Sequence, residues 1–418
     1  MTTSLPSPGP EVSLSLTLPP CPTPLEALKP EERGIRLIQL LLTCAKHASS
    51  GNLHRADECL RQISLLASVS GDSIQRLSVR FASALAIRLV KRWPGLHKAL
   101  NYTQLPKQEF DDAKPFWGRA FPYLGWSYAI ITRTLIKATM GERVIHLVDV
   151  GSGDVNLWVP LLRSLSCMPD GPPHLKVSCM NANKAVVDKL GARLVKEAEA
   201  LDMAFQFNPL NVSLKELTSD MLKVRSGEAL AFISILNLHA LLAEDDRVDA
   251  HFGDNRNING IKNSKQMCHF LTMMRSLSPN LLLVVEQEAD HNLNRLDDRF
   301  VEGLHYYSAV FDAIDAAFGP TSSGERHALE GMFGKEIENI VACEGVEREE
   351  RHERHGRWMA RFGQAGFKPV RIWYDSMEDA NQMVEACGKD GYKIVQGKAG
   401  LMICWHDRPL YAVSAWTC

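Results

Sequence analysis

Charge imbalance is the first thing the sequence lacks. Its 418 residues carry 47 Lys and Arg against 49 Asp and Glu, a formal net charge of −2. Neutralising a phosphate backbone demands a basic excess, so sequence-independent DNA binding by the chain alone is not expected. No apolar run approaches the roughly 20 residues of a membrane span, and no basic region leads into an apolar core near the N-terminus. The expectation is a protein neither secreted nor membrane-spanning. Ten cysteines are present, at 21, 44, 59, 167, 179, 268, 343, 387, 404 and 418. None forms a Cys-x-x-Cys pair or clusters with histidine, so neither a metal site nor a disulfide framework is expected, and reduced thiols fit. There is no run of clustered Lys and Arg of the kind a linear nuclear-import signal uses. No Ser-His-Asp or Cys-His arrangement has a recognisable local signature, and no catalytic residue is assigned.

What is there is ordinary for a large globular core: 45% hydrophobic and 23% charged residues. Residues 1–30 hold eight prolines among Ser, Thr and Leu, a tail that cannot build a packed core. From 31 to about 140 the pattern is helical, with broad apolar faces over 35–48, 52–68, 73–93 and 116–139 and breaks at Gly51-Asn52, Ser70-Gly71-Asp72 and Trp93-Pro94-Gly95. Strands then alternate with helices: 144–150, 174–180, 205–210, 229–235 and 281–286 read as strands. The fold class this predicts is α/β, a doubly wound sheet over 141–290 and 326–418 with an α-helical cap over 31–140. Residues 245–265 read as a surface loop. The stripe Leu304, Tyr307, Phe311, Ile314 and Phe318 places 298–325 against the cap. Helix is predicted over 326–363, and strands over 367–374, 392–396, 401–405 and 410–416.

The organising stretch is Val144-Ile145-His146-Leu147-Val148-Asp149, followed by Val150 and the turn Gly151-Ser152-Gly153. It reads as a buried parallel strand, a tight turn and a helix capped by Asp154, with Leu157, Trp158, Leu161, Leu162 and Leu165 on one face. The Asp-x-Gly-x-Gly pattern resembles the first motif of S-adenosylmethionine-dependent methyltransferases. A cleft ligand would be expected against Asp149, Gly151, Gly153, Asn181, Glu286 and Glu288, at the carboxyl ends of the strands. Two departures weigh against that cofactor. Val155 stands where a third glycine is usual, and Asn181 stands where a carboxylate would bind the ribose.

The chain as a whole resembles the plant GRAS family, with motifs in order. They are a leucine-rich segment holding Leu37, Leu40 and Leu41; the VHIID box at 144–149; a PFYRE-like region at 205–209 with 227–230; and a second leucine-rich segment with Leu238, Leu241 and Leu242. RVER follows at 344–353, with Glu347, Arg348, Glu350 and Arg351, and the SAW end is Ser414, Ala415 and Trp416. The proline-rich start, 171–176 and 205–209 are most similar to the family's scarecrow-like protein 3 subgroup. The resemblance implies a methyltransferase-like core with a helical cap and a nuclear transcriptional regulator in gibberellin-related plant development. It implies partners too: other GRAS proteins including DELLA proteins, and DNA-binding zinc-finger proteins, with DNA reached through them and homo- or heterodimers both open. No cofactor is expected. The alternative is a methyltransferase or small-ligand binder using the same cleft.

Each motif has a plainer reading. The Leu-x-x-Leu-Leu segments offer anchors one helical turn apart for a partner's groove, but core packing explains the same spacing. His146 sits mid-strand and reads as a hydrogen-bonded core histidine. Asp149 can simply bond the glycine turn. Glu286, Glu288, Asp290 and His291 are the best candidates for a general base, against which Arg348, Arg351 and Arg354 of a charged helix over 344–357 offer ion pairs. In that helix Glu347–Arg351, Glu350–Arg354 and Glu353–Arg357 would fall at the favourable spacing.

Overall fold

Local signals open the helical part of the chain. A computed structural model describes residues 29–92, 121–244, 264–319, 324–372, 374–388 and 390–418. The proline-rich tail, the Trp93-Pro94-Gly95 break, the start of the 116–139 helix and most of the 245–265 loop lie outside them. Helix α1 (Pro30–Ser50) has Pro30 in its first turn with Glu31 and Glu32, and ends at Gly51 in the left-handed region, φ +78°. Its face Leu37, Leu40, Leu41, Cys44, Ala45 and Ala48 is buried. Asn52 caps α2 (Leu53–Leu66) by accepting from the Arg55 N–H. Asp72 and Gln75 form a reciprocal capping box at the head of α3 (Ser73–Lys91). α4 (Tyr123–Ala138) follows.

The core is β1 (Val144–Val150), α5 (Val155–Ser166), β2 (His174–Met180), α6 (Lys184–Ala200), β3 (Phe205–Leu210), α7 (Ser219–Leu222), β4 (Ala229–Ile235), α8 (Lys265–Ser276) and β5 (Leu281–Gln287). β1 to β5 are mutually parallel in the order β3-β2-β1-β4-β5. This is the doubly wound parallel core that the alternation predicts, and it fits the methyltransferase-like core that the resemblance implies. β1, β2, β4 and β5 are buried on both faces, so they read as continuous apolar runs. β3 is an edge, which tolerates Pro209. Alternation splits the core in two. Ile145, Leu147, Ala231, Ile233 and Leu283 face α5, α6 and the helical cap, while Val148, Val150, Phe232 and Val284 face α8 on the other side.

The rest of the chain closes both layers. α9 (Leu296–Phe318) packs on α1 and α3, with Phe81 and Phe300 edge to face at 5.2 Å. α10 (Gly324–Ala342) packs on α3 and α9 and therefore sits in the helical layer, although the sequence assigned it to the sheet core. Arg76 joins these three helices, bonding Glu330 at 2.7 Å and Asp315. α11 (His355–Gln364), β6 (Lys368–Val370), α12 (Tyr374–Cys387), β7 (Tyr392–Gly397), β8 (Gly400–Trp405) and β9 (Arg408–Thr417) complete the fold. β9 lies antiparallel between β5 on one side and β8 and β6, end to end, on the other.

Two sequence expectations are corrected here. Residues 348–354 are not helical: α10 stops at Ala342, a single 3₁₀ turn covers Gly345–Glu347, and irregular backbone runs to α11. Gly345 at φ +59° leaves helical space, and the following charges find partners elsewhere in the fold. The run 367–374 is a strand for three residues only; α12 follows, burying Ala380 between partly buried Met377 and Val384.

Candidate functional site

Asp149, at the end of β1, is fully buried, and hydrogen bonds within the chain engage both its oxygens. Its carboxylate accepts from Ser152 N at 2.7 Å, Ser152 Oγ at 2.7 Å, Gly153 N at 3.1 Å and Trp158 Nε1 at 2.7 Å. Burial raises its pKa, and these donors offset only part of the rise. Gly151 has φ +99°, and a Cβ there would stand 2.3 Å from Nδ2 of Asn237, which donates to Val150 O at 2.7 Å. At Gly153 a Cβ would meet Val186 at 3.0 Å. The room that glycine leaves for close backbone approach is thus occupied by the chain's own side chains. Val155, expected to crowd the turn, is instead the first residue of α5 and is 40% exposed on the cleft wall. Asn181 accepts from Asn183 N at 2.8 Å, and Asn183 in turn caps α6.

Residues 151–155 with Asn181, Asn183 and Asn237 line one wall of an open cleft of about 3580 Å³ at the carboxyl ends of the strands, α4, α6 and α10 help form the others, and Asp149, Glu286 and Glu288, expected there, do not line it. Fitted small-ligand pockets are roughly 300–1,000 Å³, so this is a groove, not a mould.

Across the switch between β1 and β4, the structure assembles a buried polar cluster that the sequence only partly revealed. Glu286 accepts from the N–H groups of Asn237 (3.2 Å) and Leu238 (2.8 Å), fixing the 3₁₀ turn Leu238–Leu242, and its second oxygen meets His239 Nδ1 at 2.9 Å. Burial pulls the His239 pKa down, but the Glu286 and Glu350 carboxylates outweigh it and hold the imidazole well above its usual range. Glu336 is buried beside Tyr307 and Gln287, with the Glu350 charge nearby; burial, then that charge, pushes it up to about 8. His291 stacks on Tyr307 at 5.5 Å, its Nδ1 lies 2.9 Å from His352 Nδ1, and burial holds it well below the usual histidine range. Glu288 turns away to accept from His355 N at 2.6 Å, and Asp290 pairs with Arg357 at 2.9 Å. His239, Glu336 and His352 were missed; only the leucines around His239 carried a sequence signal.

The remaining motif residues are structural in their contacts. Leu37, Leu40, Leu41, Leu238, Leu241 and Leu242 are all at most 3% exposed, so none is free to enter a partner's groove in this fold. His146 is buried in a chain of hydrogen bonds, 2.8 Å from Ser178 Oγ and 3.0 Å from Glu228. Of the expected pairs, only Glu353–Arg357 is close, at 3.9 Å. Arg348 and Arg351 are fully buried; Arg348 donates to His291 O and Arg351 to Asn292, Gly345 O and Glu244 O. Glu347 is at the surface, 3.5 Å from Lys91. Ser414 accepts from Trp416 Nε1 at 3.0 Å, Ala415 pairs with Leu283, and Trp416 packs on Phe362 at 4.8 Å.

Comparison with known proteins agrees with this architecture. The model of the GRAS domain family matches residues 37–417. Scarecrow-like protein 3 of Arabidopsis thaliana is 39% identical over 94% of this chain and 91% of its own length. DELLA protein RGL1 of Arabidopsis thaliana is 32% identical over 93% of this chain and 71% of its own. The crystal structure of SCL7 in Oryza sativa superposes with a TM-score of 0.77 at 27% identity, covering 91% of this chain and 99% of that one.

Proposed function

Because the chain belongs to the GRAS domain family, we propose that it is a nuclear transcriptional regulator, or co-regulator, in gibberellin-related plant development, acting through other GRAS proteins of the DELLA type and through DNA-binding zinc-finger proteins. It reaches DNA through those partners, as its near-neutral charge supports. It is not an enzyme, and its glycine turn holds no S-adenosylmethionine. The observation that carries this reading is Asn237, whose amide fills the space against Gly151 while bonding Val150 O. Asn181 adds to it, offering a neutral hydrogen bond where a ribose carboxylate would give a charge-assisted one; that difference is roughly 1.5–3 kcal/mol, or tenfold to a hundredfold in affinity. Among the described residues no helix is long and apolar enough to cross a membrane.

Calorimetric titration with S-adenosylmethionine tests the cofactor part. No heat of binding at millimolar cofactor is expected; micromolar binding lost on Gly151→Val would instead promote the methyltransferase alternative. The partner part is tested by mixing the purified protein with the purified GRAS domain of a DELLA protein. A complex by size-exclusion chromatography is expected, and its absence overturns direct pairing.

A further inference from the structure

We propose that His239, Glu350 and His352 bind one divalent transition-metal ion of the zinc type through two imidazoles and a carboxylate. The residues come from segments far apart in sequence, the turn after β4 and the irregular stretch before α11. Both histidine Nε2 atoms approach the same carboxylate oxygen: Glu350 Oε2 lies 3.3 Å from His239 and 3.1 Å from His352. All three ligand atoms fall within 4.8 Å of one another. An ion bound at about 2.0–2.1 Å in a tetrahedral site holds neighbouring ligand atoms about 3.3–3.4 Å apart, so these contacts are already near the edges of a chelate.

Two further observations distinguish this cluster from a plain ion-pair triad. His352 Nε2 is fully buried and makes no hydrogen bond of acceptable angle, although Glu350 Oε2 is only 3.1 Å away. That nitrogen is not committed to a well-aligned hydrogen bond with the carboxylate, so its lone pair can face an ion. In addition, both imidazoles are held from behind, His239 by Glu286 at 2.9 Å and His352 by His291 at 2.9 Å. Metal-binding histidines are oriented in this way, with a carboxylate or another acceptor fixing the tautomer and ring angle. His291 is itself fixed by stacking on Tyr307 and by donating its backbone N–H to His352 O at 2.9 Å.

The donor set suits zinc, and all-nitrogen-and-oxygen ligation needs none of the cysteines by which the sequence was judged. Glu350 and Glu336 line the cleft, from which a fourth ligand, water or a ligand oxygen, has access. The bound ion ties the turn after β4 to the RVER segment.

The test uses the full-length protein, stripped with chelator and dialysed. Zn²⁺ titrated by calorimetry should bind at one equivalent and raise the melting temperature. Co²⁺ should give the visible bands of a four-coordinate nitrogen and oxygen site with no near-ultraviolet thiolate band. His352→Gln and Glu350→Gln should each weaken Zn²⁺ at least a hundredfold, and His291→Phe, behind the ligand, about ten- to a hundredfold. No binding by the stripped protein, a thiolate band with Co²⁺, or unchanged affinity in a folded His352→Gln overturns the proposal. Should the variants not fold, the Co²⁺ spectrum of the unaltered protein decides alone, and the absence of visible bands refutes the site.

Discussion

His146, the histidine of the VHIID box, should tie stability to pH in a direction its surroundings fix. Its Nδ1 lies 3.0 Å from Glu228 and its Nε2 2.8 Å from Ser178, whose hydroxyl accepts from Asn208 at 3.0 Å. That order of donors makes the ring neutral: Nδ1–H donates to Glu228, and Ser178 donates to Nε2. Burial lowers its pKa from 6.5 to about 4, Lys176 adds to the lowering, and Glu228 opposes it. Because the folded pKa is depressed, the unfolded chain binds the proton first. The fold keeps its full stability above about pH 6.5 and loses it as pH falls from there toward about 4. At roughly 1.4 kcal/mol per pH unit the ceiling is about 3 kcal/mol, and adjustment of Lys176, 3.7 Å from Glu228, brings the expectation to about 2 kcal/mol. In His146→Gln the amide can serve both partners without titrating. Urea unfolding of both proteins at about pH 7.5 and about pH 4.5 measures the difference. The variant should be less stable at the higher pH, and the gap should narrow by about 2 kcal/mol at the lower. A gap constant within about 0.5 kcal/mol would refute the neutral assignment, and a widening gap would mean the native ring is the cation.

Gly151→Ala combines φ +99° with a Cβ 2.3 Å from Asn237, whereas Gly141→Ala at φ +82° meets open space. Thermal melts should show the first costing at least about 2 kcal/mol and the second only about 1; equal costs would remove the steric argument at the turn. Trp416→Ala should cost about 3–5 kcal/mol by urea unfolding, since the side chain is 1% exposed and packed on Phe362. Trp416→Phe should recover more than half of that, and a loss below about 1 kcal/mol in the alanine variant would show that this corner of the core repacks freely.

The sheet was legible because its strands are apolar on both faces and its turns carry glycine, signals that live within a few residues of each other. The RVER segment was not. Its charges at four-residue spacing imitate a solvated helix, yet Arg348 reaches back to His291 O and Arg351 to Glu244 O. Partners that distant leave no local trace. In α12 the signal was present in Met377, Ala380 and Val384, but the preceding Phe367 and Val370 extended the strand reading over it. At the turn, Gly151 and Gly153 were readable as close-approach positions; that Asn237 takes up the space could not be read, since it depends on how β4 ends beside β1.

Placing β9 between β5, β8 and β6 also has a consequence for biosynthesis. On the ribosome, β1 to β5 can pair as they emerge, but the edges of β5, β6 and β8 wait for Arg408–Thr417, which follows all three of them in the chain. Until then three strands show unpaired backbone of the kind that chaperones hold and proteases find. A chain lacking Arg408–Thr417 would leave the edges of β5, β6 and β8 without their shared partner, so this one strand holds together three others that do not otherwise meet.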